Sequence, residues 1–496
     1  GNLAGIISGS GRIVKTNAGT QVLSGANLYS GGTLVTGGRL TVANASGSGT
    51  GSGLVQVETN ATFAIGNGDS AGSISAVTIT NNGTVALNRN DDFTLLNFIT
   101  GDGGVRKENA NNTVTLPISN TYTGVTTVAA GALRISNAGA LGTTDGETSI
   151  QNDPTARLEL TGGIALLEPL RVAQKQSAAG TVPCVVNGSG SNTLAGPIIG
   201  VAGGSFWTFE VAADKLTVSG SFTNANTSNT RVLRLRGGAG IGDWQSSIAN
   251  QAGNLSLTGV TKEDTGIWIL SGASSYTGPT VVSDGILLVN GVLSGGSVTV
   301  NGGTLGGNGS ISVPVTVNAL GTLSPGNSLG ELSVFSSLTL SGNTVMELFK
   351  SGATVTNDQV SVLTTLTLGG NLDVTLTGTV SGGEVFPLFT AGTFQGAFDT
   401  LNLPTLPGGL TWIPDNLAVD GTLAVSGGAP KLNVLQSGNQ LTFSWTGTGF
   451  KLQAQTNSIN VGLASNWSDY PGGSTSGVTS TIDPAQPTVF FRLISQ

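Results

Sequence analysis

One segment occurs three times in this chain, and it limits the fold more than any other feature. Its copies lie near residues 7–44, 100–137 and 255–290, each centred on a tyrosine: Tyr29, Tyr122 and Tyr276. Six positions before the tyrosine stands Leu23, Leu116 or Leu270, and two after it Gly31, Gly124 or Gly278. Nine after it stands Gly38, Gly131 or Gly285, followed by Leu40, Leu133 or Leu287 and then Val42, Ile135 or Val289. A lysine precedes each tyrosine: Lys15, Lys107 or Lys262. The chain has four tyrosines, and three of them hold this one place.

Each copy alternates Val, Ile, Leu and Thr with small polar residues, which is the strand signal. Glycine at fixed offsets supplies corners that other residues resist. Such a unit has one apolar face and cannot bury it alone, so it must stack on its neighbours as a solenoid. The chain is predicted to be all-β, with no segment of helical periodicity.

Composition supports stacking. The chain has 496 residues, too many for one ordinary domain but not for a solenoid, whose core grows along one axis. Charged residues make up 9%, against the usual quarter, and glycine numbers 78. Stacked coils tolerate polar ladders, whereas stacked like charges repel. A net charge of −8 disfavours nucleic acid and anionic membrane as partners. No apolar run reaches the length of a membrane span, so no membrane insertion is expected.

Histidine is absent, which excludes histidine-based acid–base chemistry, Ser-His-Asp and Cys-His triads, and histidine metal ligands. The single cysteine, Cys184, sits in Pro183-Cys184-Val185-Val186 and reads as a small buried apolar residue. Several candidate carboxylates remain. Asp91 and Asp92 would face opposite sides of a strand, Glu263 and Asp264 follow Lys262 in a turn, Asp284 sits at a corner, and Asp358 suits a capping role. The glycine run 47–53 lacks the context of a phosphate loop. No catalytic, cofactor or metal residue is assigned.

Arg231, Arg234 and Arg236 form the one basic cluster, with Arg234 and Arg236 on one strand face. They read either as a site for an acidic sugar or as a solvated face opposing nearby negative charge. Trp207, Trp244 and Trp268 read either as core or as a glycan-binding flank. The repeat grammar runs to about residue 428. Residues 430–496 contain Trp445, Trp467 and Tyr470 among short strands and turns, which predicts a small β-sandwich able to cap the solenoid.

Gly9, Gly11, Lys15, Gly19, Leu23, Gly25, Asn27 and Tyr29, together with the stretch from Ser271 through Gly278 to Gly285 and Leu287, resemble the autotransporter-associated β-strand repeat. This repeat is also called the passenger-associated transport repeat. The stretches 322–330 and 357–360 look like the distal passenger motif and the strand pair that follows it. The likeness covers residues 3–425. It implies a right-handed parallel β-helix exported beyond the cell surface, with repeat positions that are structural rather than catalytic. A membrane barrel of autotransporter type would not fit into the 67 residues from 430 onward, so a secreted β-helix without its own pore is expected.

These readings lead to an extracellular structural protein, not an enzyme, released after removal of an N-terminal leader. Gly1 runs almost directly into the repeat, so the first rung is expected to dock on another copy and give a head-to-tail filament. The alternative is a surface adhesin that binds glycans or partner proteins along the flank. A minor alternative is a polysaccharide-active β-helix enzyme.

Overall fold

A computed structural model describes residues 1–175, 182–227, 229–250, 257–407, 410–427, 431–445, 449–458, 461–483 and 488–495. The first two residues of the third copy, 255 and 256, and the expected junction at 428–430 lie outside the described residues. The chain divides into two compact units. The first comprises Gly1–Met346, Asp358–Asp373 and Phe389–Asn402. The second comprises Glu347–Asn357, Val374–Leu388 and Leu403–Gln496.

The first unit is a parallel β-helix. Each strand pairs in parallel with the strand one coil further on, so sheets grow along the stacking axis. Coil length varies. Val298 pairs with Val315 in a short coil, whereas Leu170 pairs with Ile198 in a long one. Among the described residues the first unit builds sheets of 11, 18 and 6 strands and contributes to a fourth, which runs from Ala165–Leu166 to Thr400–Asn402.

Register is fixed by inward-facing columns, because a slip of one residue would turn every apolar side chain outward. In the 11-stranded sheet Leu23, Val42, Ile65 and Leu87 stack directly, each buried. In the 18-stranded sheet the column is Val114, Leu133, Leu158, Val185, Phe209 and Leu235. Outward positions carry polar residues, as in the threonine row Thr299, Thr316, Thr339 and Thr367. The strand signal of the sequence is thus realised with one face inward on every coil.

The second unit contains antiparallel pairings. Val385–Pro387, Thr422–Val425 and Trp412–Ile413 make one small sheet. Two further three-stranded sheets follow. One joins Asn433–Ser437, Gln440–Ser444 and Val478–Thr481, and the other joins Ser468–Asp469, Phe450–Asn457 and Thr488–Ser495. They share a core of Phe443, Trp445 and Leu452, with the Phe443 and Phe491 rings 4.2 Å apart. Small antiparallel sheets thus follow the parallel coils, and the second unit takes in Glu347–Asn357, Val374–Leu388 and the residues from Leu403 on, beyond the expected 430–496. No helix of the described residues is long and apolar enough to cross a membrane.

Candidate functional site

The three repeat copies fold into the same local device. The ring of each tyrosine is buried, and its hydroxyl bonds the threonine four residues on. The distances are 2.7 Å for Tyr29 and Thr33, 2.6 Å for Tyr122 and Thr126, and 2.6 Å for Tyr276 and Thr280. Burial pushes the phenol pKa up in all three copies, against the threonine hydrogen bond, so the proton stays on.

The lysines occupy inward columns that are otherwise mostly apolar. Lys107 stacks between Leu87 and Val128, and Lys262 between Leu235 and Val282. Both are fully buried, yet their ammonium groups are not orphaned. Lys107 donates to the carbonyls of Asn109 and Ala130, and Lys262 to those of Glu263, Asp264 and Asp284. Lys15 makes the same bonds to Thr16, Asn17 and Gly37 at 2.7, 2.7 and 2.9 Å. Burial pulls the amines of Lys107 and Lys262 down to about 8. The ammonium therefore ties the turn of its own coil to the corner of the next. Gly38, Gly131 and Gly285 close that corner with φ of 65°, 70° and 63°. A Cβ on Gly131 would stand 2.3 Å from Asn109 O and 2.6 Å from the Lys107 ammonium, so only glycine fits. Gly31, Gly124 and Gly278 serve close approach of coils, since a Cβ on Gly278 would lie 2.4 Å from Thr258 O. Leu23, Leu116 and Leu270 are buried core.

Two hydrogen-bonding roles in this device are shown by the structure alone. The threonine four residues after each tyrosine is constant, and it satisfies the buried phenol. Two residues before the tyrosine, Asn27 and Asn120 bridge three coils. Asn120 accepts from Ile99 N–H at 2.9 Å and donates to Ala140 O at 2.7 Å, while Asn27 links Ile7 to Gly49 in the same way. The third copy has Ser274 there, which accepts from Ile248 N–H at 3.3 Å. A third buried lysine, Lys175, donates to Gln151 O and Asp153 O without any tyrosine copy to announce it.

The reactive-looking residues are occupied. Asp91 pairs with Arg89 at 2.5 Å, and Asp92 accepts from Thr113 N–H. Asp284 accepts from Gly285 N–H, and Asp358 is buried and accepts from Gly330 N–H at 2.9 Å. The Arg234 guanidinium lies 3.6 Å over the Phe206 ring and 3.1 Å from Glu263, and Arg236 lies 3.1 Å from Asp264. Of the two readings of this cluster, the structure supports compensated charge rather than an acidic-sugar site. Cys184 is buried, and burial raises its thiol pKa. Among the described residues no group of three or more Asp, Glu, Cys or His is placed to hold a metal.

The tryptophan reading that favoured glycan contact is corrected. Trp207, Trp244 and Trp268 are at most 1% exposed and form a core cluster with Phe209 and Phe222. Phe209 meets Trp244 edge to face at 5.3 Å, and Phe222 meets it at 5.6 Å. Glycines make room for the indoles: a Cβ on Gly242 would lie 2.2 Å from Trp268 Cδ2. Long coils in this region leave a wide interior, and large rings fill it.

Comparison with known proteins agrees with this construction. The model of the passenger-associated transport repeat matches residues 13–42, 111–135 and 260–289, the three tyrosine copies. The chain is similar to the adhesin BmaC autotransporter of Brucella suis biovar 1 (strain 1330), 30% identical over 474 residues that cover 77% of this chain. It spans only 13% of that relative's length. The three segments that match the repeat are the ones that fold into one shared hydrogen-bonded device, so the chain carries three copies of the passenger-associated transport repeat.

Proposed function

We propose that this chain is an adhesive, non-catalytic β-helix segment displayed outside the cell. The observation that carries the reading is the pairing of transport repeats with a solenoid whose repeat lysines and tyrosines and most reactive-looking carboxylates are taken up in structure. The repeat lysines bond carbonyls, the tyrosines bond threonines, and Asp91, Asp358, Arg234 and Arg236 have partners within the fold. Likeness to a named autotransporter adhesin supports both the extracellular location and the adhesive role. Beads coated with the purified chain should attach to cultured cell monolayers or to immobilised matrix proteins, and uncoated beads should not. Equal attachment of both would refute the reading.

A second reading is self-assembly, head to tail. Strands Asn2–Leu3 and Ile13–Lys15 each end a sheet with one edge unpaired, and Leu3 and Val14 are half exposed there. In a longer chain the same edges would carry preceding coils. Light scattering of the purified chain separates the two readings: growth with concentration supports assembly, and a constant monomer mass removes it.

A further inference from the structure

From one polar trough on the flank of the β-helix, we infer a binding site for a neutral oligosaccharide, laid along the stacking axis over Gly83, Gly103 and Gly124. The inference rests on the adhesive reading above and names a ligand class for it.

The trough follows from a glycine column. A Cβ on Gly103 would lie 2.3 Å from Gly83 O, and one on Gly124 would lie 2.4 Å from Gly103 C. Three successive coils therefore need glycine at this corner, and no side chain covers it. The bare corner opens a cavity of about 480 Å³. Asn60, Asn82 and Asp102 are among its lining residues, and Asn82 and Asp102 stand on successive coils. These two are tied along the axis, because Asn82 Oδ1 accepts from Asp102 N–H at 3.2 Å and Asp102 Oδ1 accepts from the Thr123 hydroxyl at 3.3 Å. Thr84, Arg106 and Thr127 also line it, and Arg106 and Thr127 stack as register partners.

The chemistry of the lining selects the ligand. Amide, carboxylate, guanidinium and hydroxyl groups offer donors and acceptors side by side, as vicinal sugar hydroxyls require. Asp102 and Arg106 are the charged residues that line the trough, one of each sign, and Arg106 also lies 3.6 Å from Glu108, so no cationic excess is left there. An anionic polysaccharide would demand a cationic excess, which neither the trough nor a chain of net charge −8 provides. Coils stack about 4.8 Å apart, so the ligand would span roughly 10–15 Å, a few sugar rings. Asp102 and Arg106 are both exposed, so their side chains are accessible to a ligand.

The full chain applied to an array of neutral and sulfated oligosaccharides tests this. The strongest neutral ligand is then titrated against Asp102→Ala, Arg106→Ala and Thr127→Trp, which would fill the trough. Arg171→Ala, elsewhere on the same sheet, is the control. The expected result is a tenfold or greater rise in Kd for each trough variant, an unchanged Kd for the control, and unchanged thermal midpoints. Undiminished binding by all three trough variants overturns the site, as does preference for sulfated glycans. If the array stays blank while coated beads still attach to cells, the site is wrong and the adhesive reading stands. If beads fail as well, both fall.

Discussion

At the scale of single residues, stability rests on buried polar groups whose partners belong to neighbouring coils. Asn120 satisfies Ile99 N–H and Ala140 O at once, so Asn120→Ala leaves two backbone groups short of a partner. The expected cost is about 2–4 kcal/mol, readable by denaturant unfolding. Gly131→Ala should cost on the order of 2 kcal/mol or more, since its φ of 70° and the 2.3 Å approach to Asn109 O both oppose a side chain. Glu168 gives a pH signature. Burial pushes its carboxyl up to about 7 against the Thr148 hydroxyl bond, with Glu147 adding to the rise. Between about pH 4.5 and 7 the folded state holds a proton that the unfolded state has released. Stability from this group is therefore full below that window and falls as pH rises through it. Thermal melts should show a midpoint that declines from pH 5 to pH 8, and Glu168→Gln should flatten the decline.

At the scale of elements, the tyrosine, glycine and leucine positions were legible because a fixed offset repeats only where geometry repeats. The lysine was legible as a recurrence but not as a ligand of carbonyls, since its partners are backbone atoms and leave no mark in side-chain identity. Lys175 was invisible for the same reason, with no tyrosine nearby to reveal the register. The sequence also hides how the repeat travels. Lys15, Lys107 and Lys262 lie on the 6-, 11- and 18-stranded sheets in turn, while Leu23, Leu116 and Leu270 lie on the 11-stranded, the 18-stranded and the fourth sheet. The same device thus works on different sheets, because its bonds are local to two or three coils. The tryptophans were ambiguous because coil length sets interior width, and loop residues between strands do not declare it. Trp244→Ala should open a cavity among Phe209, Phe222 and Trp268 and cost about 3–5 kcal/mol in urea unfolding, with the β-type circular dichroism retained.

At the scale of the whole molecule, the function we propose belongs to a surface, not to a reacting centre. Such a surface works only if successive coils hold one register, because only then do Asn82 and Asp102, or Thr299 and Thr316, form continuous rows. Register can be measured in solution. Nitroxide labels at Arg106 are paired in turn with labels at Thr127, Arg171 and Thr223, which lie one, three and five coils along a single outward row. Dipolar spectroscopy should return separations that grow in proportion, by about 4.8 Å per coil, near 5, 14 and 24 Å between backbones. Separations that fail to increase in that order, or that scatter independently of coil number, would contradict the stacked arrangement on which the proposed adhesive surface depends.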